Sequence, residues 1–209
     1  QRVAVPLMDW SQLQRPVFAS AVVVNGILHM TMMGAMFLGP VMAVRGLGLS
    51  SAEGGLLMVF VQASVVLTTL IGGWLHDRTS SHWIRPASAL VLSAGLVAWG
   101  LAGFTHSYLH LVIAGIVTGF GSGALLAVNN VVIMSSLPAH SRGVASGMLE
   151  TTRHFGHAFG MTVPTAILAA VAASGALSEA QGVFDGFVWA SLMLAAIAFL
   201  GAALAAWRF

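Results

Sequence analysis

The stretch "GMLETTRHFGHAFG", Gly147 to Gly160, places Glu150, Arg153, His154 and His157 within eight residues. On a helix, positions three and four apart share a face, so Glu150, His154 and His157 form a stripe with Arg153 beside it. These groups have the chemistry to take up and release protons. Histidine titrates near neutral pH, and a carboxylate next to a cation holds or loses its proton as that pairing changes. The same groups would equally serve as a static ion pair that fixes helix packing, since Glu before a cation is the favourable helical order. A second stripe at this spacing, Asn25, His29, Met33 and Met36, lies near the start of the chain. His29 reads either as a substrate contact or titrating group, or as a buried histidine with its bonds satisfied.

The elements that must carry these stripes are membrane spans. Hydrophobic residues make up 58% of the chain, charged residues 7%, lysine is absent and the mean hydropathy is +0.92. Crossing the hydrocarbon takes about 20 mostly apolar residues. Six stretches qualify, at approximately 17–44, 52–75, 87–104, 109–137, 144–173 and 184–207, behind an amphipathic lead-in at 1–16. Glu150 then lies about 10 Å along its span from Gly143, inside the membrane but short of the midplane. The net charge of +2, from eight arginines against six acids, gives no footprint for nucleic acid. With no cysteine there is no disulfide or thiolate site. The chain opens on Gln1 without a signal-peptide pattern, which reads as an internal start.

Arginines are retained on the cytoplasmic side of short loops. With the N-terminus inside, Arg2, Arg15, Arg78, Arg85, Arg142 and Arg208 are cytoplasmic, and Arg45, Glu53, Glu179 and Asp185 lie opposite. Both termini are therefore expected in the cytoplasm. The polar loop "GGWLHDRTSSHWIRP", Gly72 to Pro86, joins spans two and three on that side, with Arg85 among water and headgroups.

Polar residues inside a bilayer face protein or water. Here they concentrate in spans one, two, four and five, including Asn25, His29, Gln62, Asn129, Asn130 and Glu150. These four spans are expected around a polar interior, with three and six against lipid. Gly115, Gly119 and Gly123 recur every four residues in span four, a face that lets another backbone approach. Pro164 makes a kink plausible in span five. The run "HMTMMGAMF" from His29 and the pairs His106 with His110 and His154 with His157 have metal-like spacing, but no third ligand is evident and no metal is assigned. The likeness of "GLGLSSAEGGLL" to "HSRGVASGML" fits two inverted three-span repeats.

Taken together, "PLMDWSQLQRPVFASA", "GLGLSSAEGGLL", "GGWLHDR", "GFGSGALLAVNN" and "LPAHSRGVASGMLETTRHFGHAFG" resemble, in order, the C-terminal six-span half of a major facilitator superfamily transporter. The likeness is closest to the fourteen-span EmrB/QacA-type drug:proton antiporters. The resemblance implies an all-α membrane fold, one half of a two-half transporter whose cavity is lined by the first, second, fourth and fifth helices of each half. It implies proton-coupled efflux of drug-like or amphipathic small molecules from the bacterial inner membrane, with no cofactor. The partners implied are the lipid bilayer, substrate, protons, and a missing N-terminal half or a second copy, with no nucleic acid.

Residue by residue, "GGWLHDR" resembles the family's cytoplasmic loop motif: Gly73 permits close packing, Asp77 bonds to a neighbouring helix end and Arg78 pairs nearby. The chain departs from the motif at Ser80, Ser81 and His82, which thins its basic tail. Gly143, Gly147, Gly156 and Gly160 match packing glycines and Arg153 the family cation. The expected substrate contacts are Asn25, His29, Gln62, Asn129, Glu150 and His154, and the candidate proton carriers are Glu150, His154 and His157. Two other classes compete. A six-span intramembrane serine protease needs a serine and a histidine base on separate spans, yet the last span has no histidine and Ser122 sits in the wrong glycine frame. A half-transporter that binds a partner without moving substrate would carry the same sequence features.

Overall fold

A computed structural model describes residues 10–79, 82–173 and 178–207. The basic ends at Arg2 and Arg208 and most of the lead-in lie outside the described residues. Six long helices account for nearly all of the rest: α1 Pro16–Val41, α2 Ser51–Thr79, α3 Ile84–Thr105, α4 Tyr108–Ser135, α5 Arg142–Ala173 and α6 Glu179–Ala206. The fold is all-α, as expected.

Helix ends follow local chemistry. Ser50 and Glu53 form a reciprocal cap on α2: the Ser50 backbone N–H donates to Glu53 Oε2 at 2.8 Å, and the Glu53 N–H donates to Ser50 Oγ at 3.3 Å. Ser107 and Ser178 accept from His110 N and Gln181 N to start α4 and α6. After Pro40 the first helix widens into a π turn at Met42–Gly46, and Gly48 takes φ +69° to redirect the chain.

Five of the helices are long and apolar enough to cross a membrane; α5, 32 residues long, is more polar and falls short on composition. The apolar window of α2 is 28% buried, against 56% in α1, α3 and α4. α3 lies between α4 and α6, while α2 rests on α4 and α5 on α1. α3 has two unlike faces. One inserts the indole of Trp99 between Gly39 of α1 and Gly115 of α4, where it is 1% exposed, while Leu90, Val91, Val97, Leu101 and Phe104 on the other stay exposed. A larger apolar core runs through α1, α3, α4 and α6, and a smaller one joins Phe18, Ile133 and Leu149 at one end.

Arg85 departs from expectation. It sits in the first turn of α3, beside Pro86, and is 7% exposed. The cause is where the helix begins. Proline needs no N–H partner in a first turn, so α3 starts before it and carries the arginine inward. There the guanidinium Nε donates to Asn129 Oδ1 at 3.0 Å and Nη2 to Ser20 Oγ at 3.3 Å.

Candidate functional site: the α1–α5 crossing

Two helices can approach closely only where side chains are small. At the α1–α5 crossing those places are Gly156 and Gly160. A Cβ on Gly156 would meet the Gly26 carbonyl oxygen at 2.5 Å, and one on Gly160 would collide with the Met30 carbonyl. The approach brings polar groups together. Asn25, fully buried on α1, donates through Nδ2 to the Leu149 carbonyl at 2.9 Å and to Thr152 Oγ1 at 2.8 Å.

One turn along α1, His29 Nδ1 lies 2.9 Å from the Asn25 carbonyl. Its ring, 5% exposed, faces His157 of α5 with 5.2 Å between centroids, and His157 is 6.4 Å from His154. Glu150 pairs with Arg153 at 3.1 Å on the same helix; their side chains are 49% and 32% exposed. The three imidazoles thus form a line from exposed His154 to buried His29, with the ion pair beside its open end.

The other expected contacts are dispersed. Gln62 is exposed beside a narrow cleft shared with Met32, Met36 and Met58 of α1 and α2. Asn129 is fully buried on α4, accepting from Arg85 and donating to the Ala21 carbonyl at 3.0 Å. The amides of Asn25 and Asn129 therefore join helices within the bundle rather than lining open space. Sequence reasoning placed Arg85 in a solvated loop and did not pick out Ser20. The available signal was an arginine in the first turn of one span and paired asparagines in another.

The glycines divide. Gly115, Gly119 and Gly123 lie against Val61, Ser64 and Val65 of α2, and Thr69 Oγ1 crosses to the Gly123 carbonyl at 3.2 Å. Gly143 and Gly147 have nothing within 4 Å of an added Cβ, so neither mediates packing among the described residues. The same holds for Gly73; the close contact belongs to Gly72, against Ala124. Asp77 is exposed, with no hydrogen-bond or ion-pair partner among the described residues, and Arg78 stacks over Trp74 at 4.4 Å instead of pairing.

His106 stacks on Phe184 at 4.0 Å, whereas His110 Nδ1 lies 2.9 Å from Thr105 Oγ1. Among the described residues no group of three histidines or acids is placed to hold a metal ion. Ser122 donates to the Thr118 carbonyl at 2.8 Å and is 2% exposed.

A bundle of long apolar helices, with polar groups concentrated at helix crossings, defines a multi-pass membrane protein. A family model described as Major Facilitator Superfamily matches residues 2–161, and the chain belongs to that superfamily. It is 27% identical over 164 residues to the uncharacterized transporter YebQ of Escherichia coli, covering 78% of this chain and 36% of that one. It is 26% identical over 172 residues to the multidrug resistance protein Stp of Mycobacterium tuberculosis, covering 81% and 32%. The chain therefore spans about a third of the length of these relatives. Among solved structures it resembles a bacterial homolog of the human lysosomal transporter Spinster, with TM-score 0.68, 16% identity and coverage of 100% and 53%. It also resembles the proton:xylose symporter XylE, with TM-score 0.60, 19% identity and coverage of 93% and 44%. These two likenesses show the fold.

Proposed function

We propose that this chain forms one half of a proton-coupled secondary transporter that expels amphipathic, drug-like molecules by alternating access. The carrying observation is the α1–α5 crossing, where an exposed Glu150–Arg153 pair adjoins a line of three histidines that ends in the bundle. In this reading Glu150, His154 and His157 exchange protons, while Gln62 and the cleft methionines meet substrate through a neutral amide and polarizable thioethers. Asn25, His29 and Asn129 would contact substrate only in a conformation that parts the helices around them. The bundle is the C-terminal half of an EmrB/QacA-type antiporter in the bacterial inner membrane, with both termini cytoplasmic. Its cavity is completed by an N-terminal half or a second copy. Two inverted three-helix repeats are supported by a pairing in which α2 lies on α4 as α5 lies on α1. The name of Stp supports drug-like cargo.

The test is efflux of ethidium from proteoliposomes containing the full natural protein under an imposed pH gradient. Glu150→Gln should abolish gradient-driven transport while leaving dye binding within about twofold, since an interaction acting only on turnover does not alter ground-state affinity. Unchanged transport would remove Glu150 from the coupling role. Binding without transport in the wild type would favour a half that docks a partner and moves nothing.

A further inference from the structure

Consecutive helices α2 and α3 each lie against α4 but make little contact with one another. The result is a groove of about 400 Å³ on the outside of the bundle, away from the α1–α5 crossing. Its floor is the small residues Gly121 and Ala124 of α4; Ile71 and Leu75 form one wall, Val91 the other, and Trp83 stands at one end. Phe120 of α4 lines the groove beside this low floor. Gly121 has no side chain and the Leu92 backbone abuts it, and Ala124 meets Gly72.

The groove offers almost nothing polar. Its two hydroxyls bond to their own helices: Thr68 Oγ1 donates to the Ser64 carbonyl and Ser88 Oγ to the Ile84 carbonyl, each at 2.7 Å. An occupant must therefore be apolar and narrow. Ile71 and Val91 are 58% and 42% exposed, so the groove opens sideways out of the bundle. The end near Leu75 and Trp83 is different. Arg78 lies one turn beyond Leu75, stacked on Trp74, with His76 and His82 close by in sequence and Asp77 the one acid among them. Stacking uses the face of the guanidinium and leaves its in-plane N–H groups free to meet an anion.

An apolar trough with a cation one helical turn beyond its last lining residue fits an amphiphile with an anionic head. We propose that the α2–α3 groove is a specific site for an anionic phospholipid, with one acyl chain along Ala124 and the phosphate at Arg78. The lipid supplies the α2–α3 contact that the helices do not make themselves. This inference needs only that the bundle spans a membrane, so it stands apart from the transport reading.

Native mass spectrometry of the purified full natural protein, with phosphatidylglycerol or phosphatidylcholine added, tests it. The wild type should retain one phosphatidylglycerol about fivefold more tightly than phosphatidylcholine, the factor that one arginine near an anionic surface contributes. Ala124→Phe fills the floor and should abolish that retained lipid. Val91→Phe fills the groove from the exposed wall, where folding is least at risk, and should do the same. Arg78→Gln should keep a lipid but lose the preference. Equal retention of the two lipids by the wild type, or undiminished phosphatidylglycerol in the folded Val91→Phe protein, would overturn the proposal.

Discussion

Arg85 of α3 donates to Asn129 of α4 at 3.0 Å in the interior of the bundle, with Ser20 of α1 as its other hydrogen-bond partner among the described residues. The charge is thus held by neutral groups. Asn129 closes the node by donating to the Ala21 carbonyl of α1, so one side chain joins three helices.

Removing the acceptor from such a charge leaves it desolvated and unpartnered, which is worse than removing both groups. Asn129→Leu is expected to lower stability by about 1.5–3 kcal/mol, the range for hydrogen bonds to charged groups. Adding Arg85→Met should restore more than half of that loss. Thermal unfolding of the two variants in detergent measures both effects. A double variant less stable than Asn129→Leu alone would mean that the guanidinium stabilises the node by some other contact.

The glycines of α5 allow a paired comparison on one helix. Gly156→Ala drives a methyl into the Gly26 carbonyl, a backbone atom that cannot rotate away, whereas Gly147→Ala meets nothing within 4 Å. The first should destabilise by about 1–3 kcal/mol, as overpacking does. The second should be neutral or stabilising by up to about 1 kcal/mol, the helix-propensity difference between the two residues. Similar unfolding temperatures for the two variants would contradict the α1–α5 crossing described above.

The six helices were legible because hydropathy over a long window survives any detail of packing. The stripe Glu150, His154, His157 was legible because its spacing is local. What the sequence did not reveal was which polar residues meet across helices. Asn25 and Gln62 look alike as isolated polar residues in apolar runs, yet one is buried against Leu149 and Thr152 and the other is exposed. That difference depends on the crossing geometry. Arg85 was misplaced for a related reason: charge alone assigned it to a loop, while the helix start at Ile84, ahead of Pro86, carried it into the bundle.

Asp77 makes no hydrogen bond or ion pair among the described residues and is exposed at the end of α2. With no partner among the described residues, Asp77 is not a measurable support of this conformation, and the bond to a neighbouring helix end that the resemblance implies for it would form in a different one. Asp77→Asn should therefore leave the unfolding temperature unchanged within about 1 °C, consistent with a surface change below about 0.5 kcal/mol. Transport should fall while substrate affinity holds. Normal turnover with altered affinity would place Asp77 outside the conformational cycle.

The neutral form of His29 has its proton position fixed by geometry. Its Nδ1 lies 2.9 Å from the Asn25 carbonyl, a group that only accepts, so Nδ1 carries the hydrogen and Nε2 carries the lone pair. Nitrogen-15 NMR of histidine-labelled protein at alkaline pH should show one imidazole as the Nδ1–H tautomer, and that signal should vanish in His29→Gln. It should persist in His157→Asn, because a backbone carbonyl of α1, rather than α5, sets the tautomer. If His29 instead gives an Nε2–H signal, the Asn25 bond is absent in solution. The imidazole would then have no free acceptor at Nε2, and a proton line from His154 through His157 would end one ring short of the bundle interior.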